Sequence, residues 1–327
     1  MTSQATLQID IHLTARDLRA ALEEDVRTGL TATPKSIPPV WFYDEAGSRL
    51  FEEITRLPEY YPTRAERSLL TENAGAIAAG AGADTLVELG AGACDKTRIL
   101  LDAMRSRGPL ERYVPFDVSD EFLRAAAVGL VDDYPDLQVH AVVGDFHQHL
   151  NRIPPEGRRL VAFLGGTIGN LDPAARRRFL FDLNCTMAGH DHLLLGTDLV
   201  KDPRRILAAY DDPSGVTAAF NRNVLSVLNR ELGSRFDRDR FEHVAEWNIA
   251  EQWIEMRLRS TCDQIVPIDR LGIDVPFSRG EDVLTEISAK FTPEGVEREL
   301  LQSDFVVDDM WGAEDGEFLL TLAHPYC

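Results

Sequence analysis

The sequence has only four cysteines in 327 residues, Cys94, Cys185, Cys262 and Cys327, and no two share a CxxC spacing. A disulfide framework or a cysteine-built zinc site is therefore not expected, and this usage fits a reducing cytoplasm. Long apolar runs are missing as well: none approaches the roughly 18 residues that a membrane helix needs. Met1 to Asp10 carries no basic patch followed by an apolar core, so no signal peptide is read there. Basic residues are scarce, 34 against 54 acidic ones, and the net charge is −20. Such a chain offers no broad cationic surface to a nucleic acid. Its acidity reads first as a solubilising surface. Internal repeats and low-complexity tracts are absent too.

What is present has a clear order. Leu18, Leu22, Val26 and Leu30 recur at helical spacing, so residues 15–30 are expected to form an amphipathic helix. The run Thr33-Pro34-Lys35-Ser36-Ile37-Pro38-Pro39 then reads as rigid and extended. From about residue 65, short apolar strands (85–89, 112–118, 137–143, 159–164 and 192–199) alternate with helices. Asp95 and Ser119 are the expected caps of two of these helices, and another starts at Pro173. Such alternation implies a parallel sheet covered on both faces. Beyond residue 200 it stops. Helices over 204–232, strands near 241–248, 252–260 and 264–268, a helix at 293–302 and a last strand at 317–323 read as an α+β region. The expected fold class is α/β: a Rossmann-like sheet over 65–200 and a second α+β domain assembled from 12–64 and 201–327. Neither flank is large enough to bury a core alone.

Three strand ends carry the chemistry. The first strand runs into Val87-Glu88-Leu89-Gly90-Ala91-Gly92. Glycine lets the backbone turn sharply beside a ligand, and in open α/β sheets ligands sit at the carboxyl ends of the strands. The dinucleotide pattern GxGxxG fails here, because Asp95 stands where the third glycine belongs. That shifts weight away from NAD. An acid just before GxG suits a methyltransferase, where the carboxylate orients the loop around the amino-acid part of S-adenosylmethionine. The second strand ends in Val114-Pro115-Phe116-Asp117, at the spacing where an acid accepts from ribose hydroxyls. The third ends in Val143-Gly144-Asp145-Phe146, which suits adenine: the carboxylate takes the exocyclic amine and the ring packs on the base. Lys96 is placed to pair with the cofactor's carboxylate, although taken alone it reads as a surface lysine. Together the three ends imply a class I methyltransferase sheet.

The fourth strand leads into Leu164-Gly165-Gly166-Thr167-Ile168-Gly169-Asn170. In this fold that loop faces the transferred methyl group. Asn170 can donate to a substrate carboxylate or carbonyl, and alone it is as readily a turn residue. The NPPY-type motif of base-amine methylation is absent. Trp41, Phe42, Tyr43, Phe51, Tyr60 and Tyr61 concentrate the aromatics in one stretch. They form either plain core or a pocket whose ring faces stabilise a quaternary ammonium. His140, His147 and His149 invite a metal, but nothing nearby completes a ligand set, so no metal is expected.

Longer motifs go further. Leu30-Thr31-Ala32-Thr33-Pro34-Lys35-Ser36, Trp41-Phe42-Tyr43-Asp44, Leu57-Pro58-Glu59-Tyr60-Tyr61-Pro62-Thr63-Arg64, Gly196-Thr197-Asp198-Leu199-Val200-Lys201-Asp202, Thr217-Ala218-Ala219-Phe220-Asn221-Arg222-Asn223 and Leu284-Thr285-Glu286-Ile287-Ser288 together resemble the histidine-specific Nα-methyltransferases of ergothioneine biosynthesis. The resemblance runs from about residue 15 to 323. It implies conversion of L-histidine to its trimethyl betaine, hercynine, by three transfers from S-adenosylmethionine. It implies cofactor positions at Gly90, Lys96, Asp117, Asp145 and Phe146, with Tyr43 close by. Tyr60, Asn170 and Tyr210 match positions that hold the amino and carboxylate end of the substrate, with Gly165 beside them. Glu286 and Ser288 match those that hold the imidazole, and Met256 and Phe51 match the pocket wall. Glu286 and Ser288 are two apart, so on a strand they share a face.

The implied reaction needs a neutral amine, since its lone pair attacks. Tyr43 and Tyr60 are the candidates to relay the proton, with Asn170 positioning the substrate; most of the acceleration is expected from placing the amine against the methyl group. Rival readings are an Nα-methyltransferase of another amino acid such as tryptophan, differing at Met256, Glu286 and Ser288, and a non-catalytic S-adenosylmethionine-binding protein. The expected partner is a small molecule, with no nucleic acid and no membrane, and the chain is expected to be a cytoplasmic monomer.

Overall fold

The structure, a computed structural model, describes residues 6–92 and 96–326. Along the chain the elements are β1 (Thr6–Ile11), α1 (Ala15–Thr31), β2 (Lys35–Ser36), α2 (Glu45–Arg56), α3 (Pro62–Ala81), β3 (Thr85–Leu89), α4 (Thr97–Arg107), β4 (Arg112–Asp117), α5 (Asp120–Asp133), β5 (Gln138–Val143), β6 (Arg159–Phe163), α6 (Pro173–Thr186) and β7 (His192–Asp198). Then follow α7 (Pro203–Tyr210), α8 (Val216–Leu232), β8 (Phe241–Asn248), β9 (Trp253–Ser260), β10 (Gln264–Ile268), β11 (Ile273–Phe277), β12 (Asp282–Ala289), α9 (Pro293–Leu301), β13 (Phe305–Gly312) and β14 (Phe318–Pro325). They divide into two units. One takes the segments before Ala15, Ala65–Leu199 and from Phe291 onward; the other takes Ala15–Arg64 and Val200–Lys290.

The first unit is a sheet of order β1-β5-β4-β3-β6-β7-β14-β13. β1 and β3 to β7 run parallel, and the β13–β14 hairpin closes one edge antiparallel. β3 and β6 are buried at every residue, as central strands covered on both faces must be. Arg159 opens β6 and is itself buried. Its guanidinium meets the carboxylate of Asp191, just before β7, at 2.9 Å through Nε, and its backbone N–H meets the same group at 2.8 Å. This pair ties the starts of β6 and β7 together. Asp172 caps α6 by accepting from the N–H groups of Ala174 and Ala175, with Pro173 at the first helical position.

Three expectations change. Residues 201–327 are expected as a whole in the second domain, but α9, β13 and β14 belong to the first unit, and β13 and β14 to its sheet. The reason lies in β7, which is buried from Leu193 to Asp198 and would otherwise present an unpaired edge. β14 covers that edge in register from Phe318–Asp198 to Ala323–Leu193. The polar N-terminal stretch contributes β1, an edge strand that needs few buried residues. The helices expected over 204–232 are α7 and α8, and Asp212 starts α8 by accepting from the N–H groups of Val216 and Thr217. Ser119 does sit at the start of α5, but its side chain makes no capping bond. Asp95, the other expected cap, lies outside the described residues.

The second unit centres on a sheet of order β2-β12-β9-β8, with a separate β10–β11 hairpin. Leu22, Val26 and Leu30 of α1 and Phe220, Val224, Leu225, Leu228 and Leu232 of α8 supply its core. A bulge interrupts the β9–β12 pairing between Leu284 and Glu286. Thr285, at the bulge, donates to Asn221 Oδ1 at 2.7 Å and is buried. Bulges re-aim side chains, and this one sets the direction of Glu286.

Candidate active site

In the first unit the chain leaves β3 through Gly90 and Gly92, with φ of 71° and 51°. Other residues adopt such angles at a cost of about 1–2 kcal/mol. A Cβ built on either glycine would meet no atom of the described residues within 4 Å. Asp117, the last residue of β4, accepts from the Gly92 N–H at 3.1 Å and from the Ser119 N–H at 3.0 Å. Burial pushes its carboxyl above the usual range, and those backbone donors pull the other way. Asp145 follows β5 and accepts from the His147 N–H at 2.8 Å and Gln148 Nε2 at 3.2 Å. Its own N–H donates to His149 Nδ1 at 3.1 Å. That bond gives His149 a local structural role. Phe146 is half-buried and rests edge-on against Phe163 and Phe179, with centroids 5.6 and 5.5 Å away.

Two further acids hold this loop region from behind. Glu88 is buried and accepts from Tyr113 OH at 2.7 Å and from Thr97, the first residue of α4. Burial raises its carboxyl. It fixes the helix that follows the glycines. Glu66, fully buried on α3, pairs with Lys96 and accepts from the Gly165 N–H at 2.7 Å. It joins the first and fourth loops. A Cβ on Gly196 would run into Glu66 Oε1, so that glycine is required by close approach. Asn170 ends a short 3-10 turn, is half-buried, and makes no side-chain hydrogen bond among the described residues.

In the second unit the aromatics form a continuous series. Tyr43 meets Phe51 with centroids 5.6 Å apart, Phe51 meets Tyr60 at 6.2 Å, and Tyr60 meets Tyr210 at 6.3 Å. Tyr43 is exposed; Tyr60 and Tyr210 are buried. Asn223 anchors the start of the series by donating to Phe42 O and to Asp44 Oδ1, on either side of Tyr43. At the other end the Tyr210 hydroxyl donates to Ser288 Oγ at 2.9 Å. Lys290 Nζ donates to Ser288 Oγ at 2.8 Å and to the Tyr210 hydroxyl oxygen at 3.0 Å. Glu286, opposite Met256 in the β9–β12 register, shares a face with Ser288. Burial pushes its carboxyl up to about 7, against the opposing pull of Lys290.

The sequence matches the profile of the histidine-specific, S-adenosylmethionine-dependent methyltransferases over residues 22–325. The chain belongs to that family. It is similar to the histidine N-alpha-methyltransferases of Mycolicibacterium smegmatis and Mycobacterium tuberculosis, with 54% identity to each. The first alignment covers 97% of this chain and 99% of the relative, and the second 93% and 94%. It is also similar to ergothioneine biosynthesis protein 1 of Schizosaccharomyces pombe, 32% identical over 63% of this chain and 28% of that longer protein.

The family's donor fits what the first unit offers: a glycine turn at a strand's carboxyl end, a strand-end carboxylate and a half-buried ring. Gly90, Lys96, Asp117, Asp145, Phe146, Gly165 and Asn170 all lie in this unit. Tyr43, Phe51, Tyr60, Tyr210, Met256, Glu286 and Ser288 all lie in the second. Sequence reasoning missed Lys290 and Glu66. Lys290 continues the alternation Glu286, Ser288, and a lysine in phase with two core-facing polar residues is a usable signal. Glu66 carries no such signal, since its partners are 30 and 99 residues away in the chain.

Proposed function

We propose that this methyltransferase trimethylates the α-amino nitrogen of L-histidine, giving hercynine as the first step of ergothioneine biosynthesis. Family membership and the mycobacterial and fungal relatives support this reading. The single observation that carries it is the hydrogen-bond polarity around Ser288. Its oxygen accepts from both Tyr210 and Lys290, which uses both lone pairs. Its own proton is left to donate. Beside it on the same face Glu286, once ionised, only accepts. A neutral imidazole presents one N–H and one bare nitrogen, and these two groups match that pair. An indole has an N–H and no acceptor nitrogen, so tryptophan would leave Ser288 unsatisfied, which is a strong basis for rejection.

The bound donor supplies a sulfonium methyl group; the amine's lone pair forms the N–C bond while the C–S pair stays with sulfur. The residues of this chain prepare the amine. Three protons leave over three transfers, because the substrate starts as an ammonium and ends quaternary. Tyr43 and Tyr60 relay them, through water, in this reading. Ring faces of the same series stabilise the trimethylated product. The second unit thus serves as the substrate-binding domain, with Tyr210, Met256 and Phe51 shaping its pocket. The enzyme works as a monomer in the cytoplasm. Mass spectrometry after incubation with S-adenosylmethionine and a panel of amino acids tests the proposal. A gain of three methyl groups on histidine alone is expected; no gain on histidine, or equal gain on tryptophan, overturns it.

A further inference from the structure

His192, Asp308 and His324 come from three neighbouring strands, β7, β13 and β14, and each places a ligand atom within 4.8 Å of the others. His192 starts β7, so the group lies at the amino ends of the parallel strands, away from the glycine loop at their carboxyl ends. Asp308 sits at the bulge between Val307 and Asp309, which turns its side chain toward the histidines. His324 Nδ1 is 2.8 Å from Asp308 Oδ1, whereas His192 Nε2 is 3.6 Å from Asp308 Oδ2, beyond a hydrogen bond. His192 Nδ1 is buried and has no partner among the described residues. His192 is therefore a half-buried imidazole with no hydrogen bond among the described residues, facing a carboxylate and a second imidazole. The His324–Asp308 and His192–Asp308 separations, 2.8 and 3.6 Å, bracket the about 3.3 Å between donors on a tetrahedral ion with bonds of about 2.0–2.1 Å.

We propose that His192, Asp308 and His324 bind one divalent transition-metal ion. Two imidazoles and a carboxylate favour zinc, cobalt or nickel over magnesium or calcium, which prefer all-oxygen shells. Three protein ligands leave a position for water. The ion would bridge the hairpin formed by residues 305–325 to the parallel strand beside it, a structural staple separate from methyl transfer. This extends beyond the function proposed above and does not depend on it.

The test titrates the full, chelator-treated chain with zinc chloride by calorimetry and with cobalt chloride by visible absorption. One saturable equivalent is expected, with the intense d–d bands of a four-coordinate cobalt site. Asp308→Asn and His324→Ala alter partly exposed side chains, so folding should survive, and each should weaken binding at least tenfold. Thermal melts should show a zinc-dependent rise that both variants lack. Absence of a saturable equivalent, or one that persists unchanged in both variants through other histidines such as His147, overturns the proposal.

Discussion

Glu286 gives the sharpest test of the acceptor chemistry, because its effect can be read without any substrate. Its carboxyl rises from 4.5 to about 7 on folding, driven by burial, and it is 9% exposed. That rise corresponds to about 3 kcal/mol. At a pH below the unfolded value, folded and unfolded chains both carry the proton and the group costs nothing. Between the two values the unfolded chain releases its proton while the folded chain keeps it. Stability therefore falls as pH rises through this window and levels off above about 7. Glu286→Gln removes the ionisation while keeping the shape. Urea unfolding of ligand-free wild type and variant at about pH 4.5 and about pH 8 isolates the group, since other titrations cancel in the difference. The variant should gain most of that 3 kcal/mol relative to wild type at the higher pH. An identical difference at both pH values would refute the burial argument.

Lys290→Met should raise the histidine KM about tenfold or more, by losing charge-assisted bonds of about 1.5–3 kcal/mol, with S-adenosylhomocysteine affinity unchanged by calorimetry. Gly92→Ala forces an alanine to a φ of 51° and should cost about 1–2 kcal/mol of stability, read from the urea midpoint. Asp191→Ala leaves the Arg159 guanidinium buried without its carboxylate and should cost about 3–5 kcal/mol, read from the urea midpoint.

The donor half was legible because its signals are local. Buried parallel strands read as continuous apolar runs, and Gly90, Asp117 and Asp145 each stand at or just beyond a strand end. The acceptor residues were reached through resemblance, and the face shared by Glu286 and Ser288 followed from strand alternation. The C-terminal boundary was not legible. Nothing in Phe305–Gly312, which mixes Val306 and Val307 with Asp308 and Asp309, tells which sheet it will join. That choice is made by the open edge of β7, more than 100 residues earlier. Separation in the chain likewise hides Glu66 from Lys96 and Gly165, 30 and 99 residues away, and keeps His192 apart from His324. Local composition records what a residue prefers; it does not record which distant backbone will need it.

The chain passes between its two units four times, and the first sheet is finished only by its last two strands. A ribosome therefore exposes β7, with its leucine run Leu193–Leu195, long before Phe318–Pro325 emerges to cover it. Until then the nascent sheet has a sticky flank, the kind of surface that chaperones hold and that aggregates when crowded. Slow synthesis or a premature stop after Lys290 should thus yield insoluble product rather than a shorter soluble fragment.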